Sequence, residues 1–187
     1  MNKNIFIVLF LGILLSILLV ITADHVDRVT STDEFCGNSC HSMNQYIANE
    51  EIYVASAHRT SKSGVVVGCA DCHIPESLAL AMWTHVKGGI KDSLSEVRND
   101  FTNPAVWESF KPRLAKQVRE RMLANDSRVC RNCHIMEKIA VSSYEGQRAH
   151  AQSFYTKVTC IQCHYNLVHS PVKPHEGFVE NTHKLPD

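Results

Sequence analysis

From Ile5 to Ile21 the chain runs seventeen residues interrupted only by Gly12 and Ser16, both tolerated in membrane helices. At 1.5 Å per residue this stretch spans about 25 Å, and about 28 Å with Thr22 and Ala23, close to the ~30 Å hydrocarbon core of a bilayer. A cleaved signal peptide and a retained anchor compete here. Cutting after Ala23 would leave Ile21 at the −3 position, where a small residue is wanted, so residues 1–23 read as a retained anchor. Lys3 is expected to hold the amino terminus in the cytoplasm, leaving everything after Asp24 outside. Asp24–Phe35 turns polar and reads as a linker.

Further on, two stretches carry a helical period. Pro75-Glu76-Ser77 opens one that runs through Leu78, Trp83, Val86, Ile90, Leu94 and Val97. Gly88-Gly89 weakens its middle by roughly 1 kcal/mol per glycine. His85 and Asp92, seven residues apart, share a face of this helix, which by itself reads as solvated. Asn103-Pro104 marks a turn. Pro112–Asn125 then reads as a basic amphipathic helix, with Leu114, Val118 and Met122 at four-residue spacing facing the core. Ala55-Ser-Ala-His58 fits a short helix. No alternating run longer than a few residues suggests a strand.

The cysteines change the picture. All eight fall in pairs, and histidine follows every pair: Cys69-Ala-Asp-Cys72-His73, Cys130-Arg-Asn-Cys133-His134 and Cys160-Ile-Gln-Cys163-His164. Cys36-Gly-Asn-Ser-Cys40-His41 repeats the pattern with one extra residue. Cys-x-x-Cys-His is the attachment signature of c-type haem, in which two thiols bond to the porphyrin and the histidine reaches the iron. With eleven histidines in 187 residues, four accidental placements would arise on the order of once in 10⁵. Two Cys₄ zinc sites or four disulfides would also use the cysteines, but neither explains the histidines. Four covalently bound haem c groups, each with its iron, are therefore expected.

Haem also explains why aromatics are only 7% of the chain, since porphyrins would supply flat apolar surface. The expected fold is mainly α with extensive loops: an N-terminal transmembrane helix plus a compact multihaem cytochrome c domain over residues 24–187. Nineteen acidic residues balance nineteen basic ones, so no nucleic-acid partner is expected. Bacterial c-type haem is attached outside the cytoplasmic membrane, which agrees with the orientation read from Lys3. Three irons need a distal ligand beside His73, His134 and His164. His58, His150 and His169 fit that role, with their pairing open. Met136 reads as a packing methionine, and His175 and His183 as tail residues.

One order of motifs is more specific than any single one. After the anchor come Thr30-Ser-Thr-Asp-Glu-Phe-Cys36, Cys40-His-Ser-Met43, Ala55-Ser-Ala-His58, Cys69-Ala-Asp-Cys-His-Ile-Pro75, Asn125-Asp-Ser, and Cys163-His…His169. This order resembles the tetrahaem membrane-anchored quinol dehydrogenases of the NapC/NirT family, NrfH and CymA types included, over nearly the whole chain. The chain is expected to lack the extra C-terminal domain of pentahaem relatives. The resemblance implies that Met43 ligates the first haem, with the sixth position open and His41 structural. The family normally has two residues between the first cysteines, and the three found here leave both Met43 and His41 open as ligands.

The resemblance also implies that Asp92, in Lys91-Asp92, sits over the open haem face and accepts a proton. His85 stands where the family often carries lysine, as a helper to Asp92, with Lys87 a nearby substitute. The implied activity is oxidation of membrane quinol, menaquinol or ubiquinol, at the inner membrane. Electrons would leave through the haems to a periplasmic terminal reductase or soluble cytochrome in anaerobic respiration. A tethered carrier with no quinol site and a small multihaem terminal reductase are the rival readings.

Overall fold

The structure, a computed structural model, describes residues 2–156 and 158–178. His183 lies outside the described residues. Every regular element among the described residues is helical.

The apolar segment forms the larger part of α1 (Lys3–Thr30), none of whose residues is buried. It is the one helix among the described residues long and apolar enough to cross a membrane. The polar stretch expected to be a linker instead continues this helix to Thr30. Arg28 Nε lies 2.8 Å from Asp24 Oδ2 one turn back, and the Thr30 hydroxyl donates to the Val26 carbonyl at 2.8 Å. Charge pairing at this spacing favours helix.

Thr32 caps α2 (Asp33–Asn38), its hydroxyl accepting from the Phe35 N–H at 3.2 Å. α3 (His41–Met43) follows, and Asn44–Ala48 widens into a π turn. α2 packs so closely on this turn that a Cβ at Gly37 would stand 2.8 Å from Ala48 Cβ, closer than real side chains approach. α4 (Glu51–Val54) is short. Ala55-Ser-Ala-His58 does not form the expected helix. The chain turns there, with the Arg59 and Thr60 N–H groups both returning to the Ser56 carbonyl at 3.0 Å.

α5 (Cys69–His73) and α6 (Leu78–Arg98) follow. α6 runs through Gly88-Gly89 without a break. α7 (Pro104–Ala124) starts at Pro104 rather than at Pro112. The Asn103 side chain accepts from the Ala105 N–H at 3.0 Å, and Pro104 occupies the first helical position, where a missing N–H costs nothing. Pro112 is carried inside the helix. The remaining elements are α8 (Arg128–Arg131), a 3₁₀ turn over Met136–Lys138, α9 (Tyr144–Thr156) and α10 (Cys160–Cys163).

The polypeptide core is small. Tyr53, Ala81, Phe101, Trp107, Ile161 and Phe178 are its buried apolar side chains among the described residues. Trp107 stacks on Tyr46 at 5.0 Å and meets Phe101 edge-on at 6.2 Å. α6 packs against the far end of α1, where His85 Nε2 lies 3.2 Å from both Asp27 Oδ1 and Ser31 Oγ.

Candidate functional site

Each full Cys-x-x-Cys-His run spends its spacer residues on its own helix cap or turn. In α5 the Asp71 carboxylate accepts from the Gly68 N–H at 2.7 Å, and in α10 Gln162 Oε1 accepts from the Thr159 N–H at 2.9 Å. Two polar side chains then join the runs in pairs. Asp33 of α2 accepts from the Cys69 N–H at 2.7 Å and pairs with Arg59 at 2.5 Å, tying the first run to the second. Burial pushes the Asp33 carboxyl up, but these hydrogen bonds outweigh it and hold its pKa below the usual carboxylate value. Ser127, fully buried and left-handed at φ 51°, accepts from the Ile161 N–H at 3.0 Å and from the Thr159 hydroxyl at 2.6 Å. It ties the third run to the fourth.

The sulfurs follow the same pairing. Cys36 lies against Cys69, and its hydrogen bond lowers Cys69 to about 7. Cys130 stands beside Cys160, with burial first and Cys160 next pushing it up to about 11. None of the eight cysteines, Cys72, Cys133 and Cys163 included, is paired in a disulfide. Among the described residues, no three His, Cys, Asp or Glu side chains converge as a metal site would require.

The histidines instead come in facing pairs. His58 lies 6.1 Å from His134, His73 lies 6.4 Å from His169, and His150 lies 6.2 Å from His164, measured between ring centroids. Two imidazoles on one metal, each with a bond of about 2.0 Å plus about 1.1 Å from nitrogen to ring centre, would stand about 6.2 Å apart. Each pair joins one motif histidine to one distal histidine. The order is crossed: His58 reaches forward to the third run, and His169 returns to the second.

Burial favours the neutral, metal-binding form of three of these rings, His73, His164 and His169. His73 falls to about 4 through burial first, then the nearby His169. Burial also lowers His164, and it lowers His169 although Glu50 pulls the other way. His150 Nδ1 lies 2.9 Å from the Gly146 carbonyl, so a proton donated there leaves Nε2 free. His169 Nδ1 is 3.6 Å from Glu50 Oε2, and the Ser170 N–H holds that carboxylate at 3.0 Å. Between the runs lies an apolar cavity of about 310 Å³, lined by His73, Cys130, Cys160, His164 and His169. Leu114, Val118 and Met122 of α7 face it, as their spacing predicts.

The first run is different. Met43 reaches the same cavity, whereas His41 is exposed. Asp92 and Glu96 of α6 lie close enough to Cys40 to raise its thiol, after burial. Glu96 accepts from the Ser42 hydroxyl. The Asp92 carboxyl is crowded on one side and open to solvent on the other. Burial raises its pKa, with Lys91 and Arg121 opposing and Glu96 adding to the rise. His85 shares the Asp92 face but is engaged with Asp27 and Ser31 two turns away. Lys91 points elsewhere, donating to Gln117 Oε1 of α7 at 2.8 Å.

Residues 1–174 match the NapC/NirT cytochrome c family, N-terminal region. The chain belongs to this family. A tetraheme cytochrome c-type protein of Allochromatium vinosum is 35% identical over 177 residues, covering 92% of this chain and 94% of the relative. The cytochrome c-type protein NapC of Escherichia coli K12 is 32% identical over 141 residues, covering 74% and 68%. The cytochrome c-type protein TorY of Haemophilus influenzae is 33% identical over 160 residues, which are 83% of this chain but 41% of TorY. No solved structure matches the chain.

As a NapC/NirT cytochrome the protein carries four covalently bound haem c groups and is a membrane-anchored multihaem electron carrier. The three imidazole spacings and the apolar cavity among the runs fit those groups. Sequence reading missed Asp33, Glu50, Glu96 and Ser127. Their partners are distant in the chain, although Asp33 and Ser127 both fall within stretches that carried the family resemblance.

Proposed function

We propose that this NapC/NirT cytochrome oxidises membrane quinol beside its first haem site and delivers the electrons to a periplasmic reductase or soluble cytochrome. The observation that carries this reading is the placement of Asp92. It stands beside the first cysteine run, on a helix that packs where the membrane-spanning helix ends. The bound haems supply one-electron transfer. Asp92, in its ionised form, takes a quinol proton on a carboxylate oxygen. Its raised pKa brings it nearer the range where it both accepts and releases protons. His85 fixes α6 against α1 through Asp27 and Ser31, and Lys91 steers α6 through Gln117.

His73 with His169, His134 with His58 and His164 with His150 hold three irons. Cys36, Cys40, Cys69, Cys72, Cys130, Cys133, Cys160 and Cys163 hold the four porphyrins. Met43 would hold the first iron, since it is half-buried where His41 is exposed. The amino terminus lies in the cytoplasm and the haem domain in the periplasm. A tethered carrier is the second reading, favoured by one observation: His85 and Lys91 are already engaged away from Asp92. Asp92→Asn separates the two. Quinol oxidation loses on the order of 10²-fold in menaquinol-driven reduction, with haem count and dithionite reduction intact. A rate equal to the wild type supports the carrier.

A further inference from the structure

α6 is inverted. Its small and polar positions, Ala81, His85, Gly88, Asp92 and Glu96, occupy one face at the helical spacing. That face meets the rest of the protein: Ala81 is 1% exposed, His85 touches α1, and Glu96 accepts from Ser42 beside the first cysteine run. Leu80, Trp83, Val86, Ile90, Leu94 and Val97 form the opposite stripe. They are 46–86% exposed. The stripe is about 25 Å long at 1.5 Å per residue. α7 approaches along one edge of the stripe through Lys91 and Gln117, while the contacts with α1 and with the first cysteine run lie on the opposite face.

Three observations say what covers it. The first is depth. Asp27, which His85 touches, lies four residues past Ala23 on the continuous helix α1, about 6 Å beyond the apolar segment. The headgroup zone on each side of a bilayer is about 5–8 Å deep, so α6 meets the anchor within it. The second is charge. Both carboxylates of α6, Asp92 and Glu96, sit on the inner face, while Lys87 lies within the apolar stripe and Lys91 and Arg98 along one edge. Cations rather than carboxylates therefore stand on the side that a lipid headgroup layer would meet. The third is Trp83, 64% exposed within the stripe, a residue enriched at headgroup level.

We infer that α6 is an interfacial helix, its apolar stripe sunk into the headgroup boundary of the bilayer that α1 crosses. The cation of Lys87 faces lipid phosphate. The domain is then held at two places, the anchor and α6, and its first haem site faces the membrane at a set depth. This inference rests on α1 as a membrane anchor and is independent of quinol oxidation by Asp92.

The full-length holoprotein in vesicles of phosphatidylethanolamine and phosphatidylglycerol provides the test, with a carbene-generating lipid and peptide mass spectrometry. Labelling of Leu80–Val97 is expected on the order of tenfold above that of Tyr144 and Tyr155, which are exposed on or at the start of α9. Ile90→Asp combined with Val97→Asp should abolish the α6 label while keeping four haems and the label on α1. Equal labelling of α6 and α9 overturns the inference. So does protection of α6 accompanied by cross-links from residue 90 to a second copy or to a reductase, which would assign the stripe to protein. Neither result depends on turnover, so the quinol reading stands or falls separately.

Discussion

α6 and α7 are each 21 residues long and are joined by the Lys91–Gln117 hydrogen bond, yet they bury opposite kinds of face. α7 turns Trp107, Leu114, Val118 and Met122 toward the interior, as the apolar period of a globular helix demands. α6 turns Ala81, His85 and Glu96 inward and leaves Leu80, Trp83, Ile90 and Leu94 outside. Hydrophobic periodicity says that a helix has two faces. It does not say which of them meets protein when a porphyrin and a bilayer are also present as surroundings. α7 provides an apolar wall for the cavity among the cysteine runs, whereas α6 brings carboxylates to the first run, which has no facing histidine pair among the described residues.

The sharpest way to break this contrast is to exchange tryptophan for alanine on both helices. Trp107→Ala removes a stacked, 5% exposed ring and should cost about 3–5 kcal/mol in urea unfolding of the holoprotein. Trp83→Ala should stay within about 0.5 kcal/mol in detergent, where its surface is already solvated. Equal losses would mean that α6 is an ordinary core helix. Arg119 comes next. It is 4% exposed, and it donates to Val172 O at 2.8 Å and Asn166 Oδ1 at 2.9 Å, holding the loop that carries His169. Arg119→Gln should cost about 2–3 kcal/mol and perturb the low-spin signal of one haem, seen by electron paramagnetic resonance.

The contact between the helices themselves is exposed, so Gln117→Ala should change stability by less than about 0.5 kcal/mol. The smallest effect is a slope with pH. Burial raises Asp92 in the folded protein, while the unfolded carboxyl keeps its ordinary value near 3.9. Between those two values the folded state holds the extra proton, so stability falls as pH rises through the window and is flat above it. Asp92→Asn should remove that slope from urea melts started at pH 4, and no equivalent change is expected from α7 substitutions at Gln117.

Local and covalent features were legible. The apolar run of α1, the four cysteine pairs with their histidines, and the period of both long helices depend on residues adjacent in the chain. The helical continuation through Asp24–Arg28 was also readable, in the charge pair at four-residue spacing. The histidine pairing was not, because His58 and His134 are far apart in the chain and only tertiary packing brings them together. The same holds for Asp33 on Cys69 and Ser127 on Ile161, where a single polar atom satisfies a distant backbone N–H. His85 and Asp92 were correctly placed on one face, but His85 is engaged with the anchor, whose helix runs on past the expected end.

The central claim is that one haem site differs from the other three and faces the quinol. Rapid-freeze electron paramagnetic resonance of the holoprotein in nanodiscs, mixed with menaquinol, tests it most directly. The account predicts three low-spin bis-histidine signals and one distinct centre, the distinct one disappearing first. Four bis-histidine signals, or a sample that dithionite reduces fully and menaquinol leaves oxidised, would contradict it.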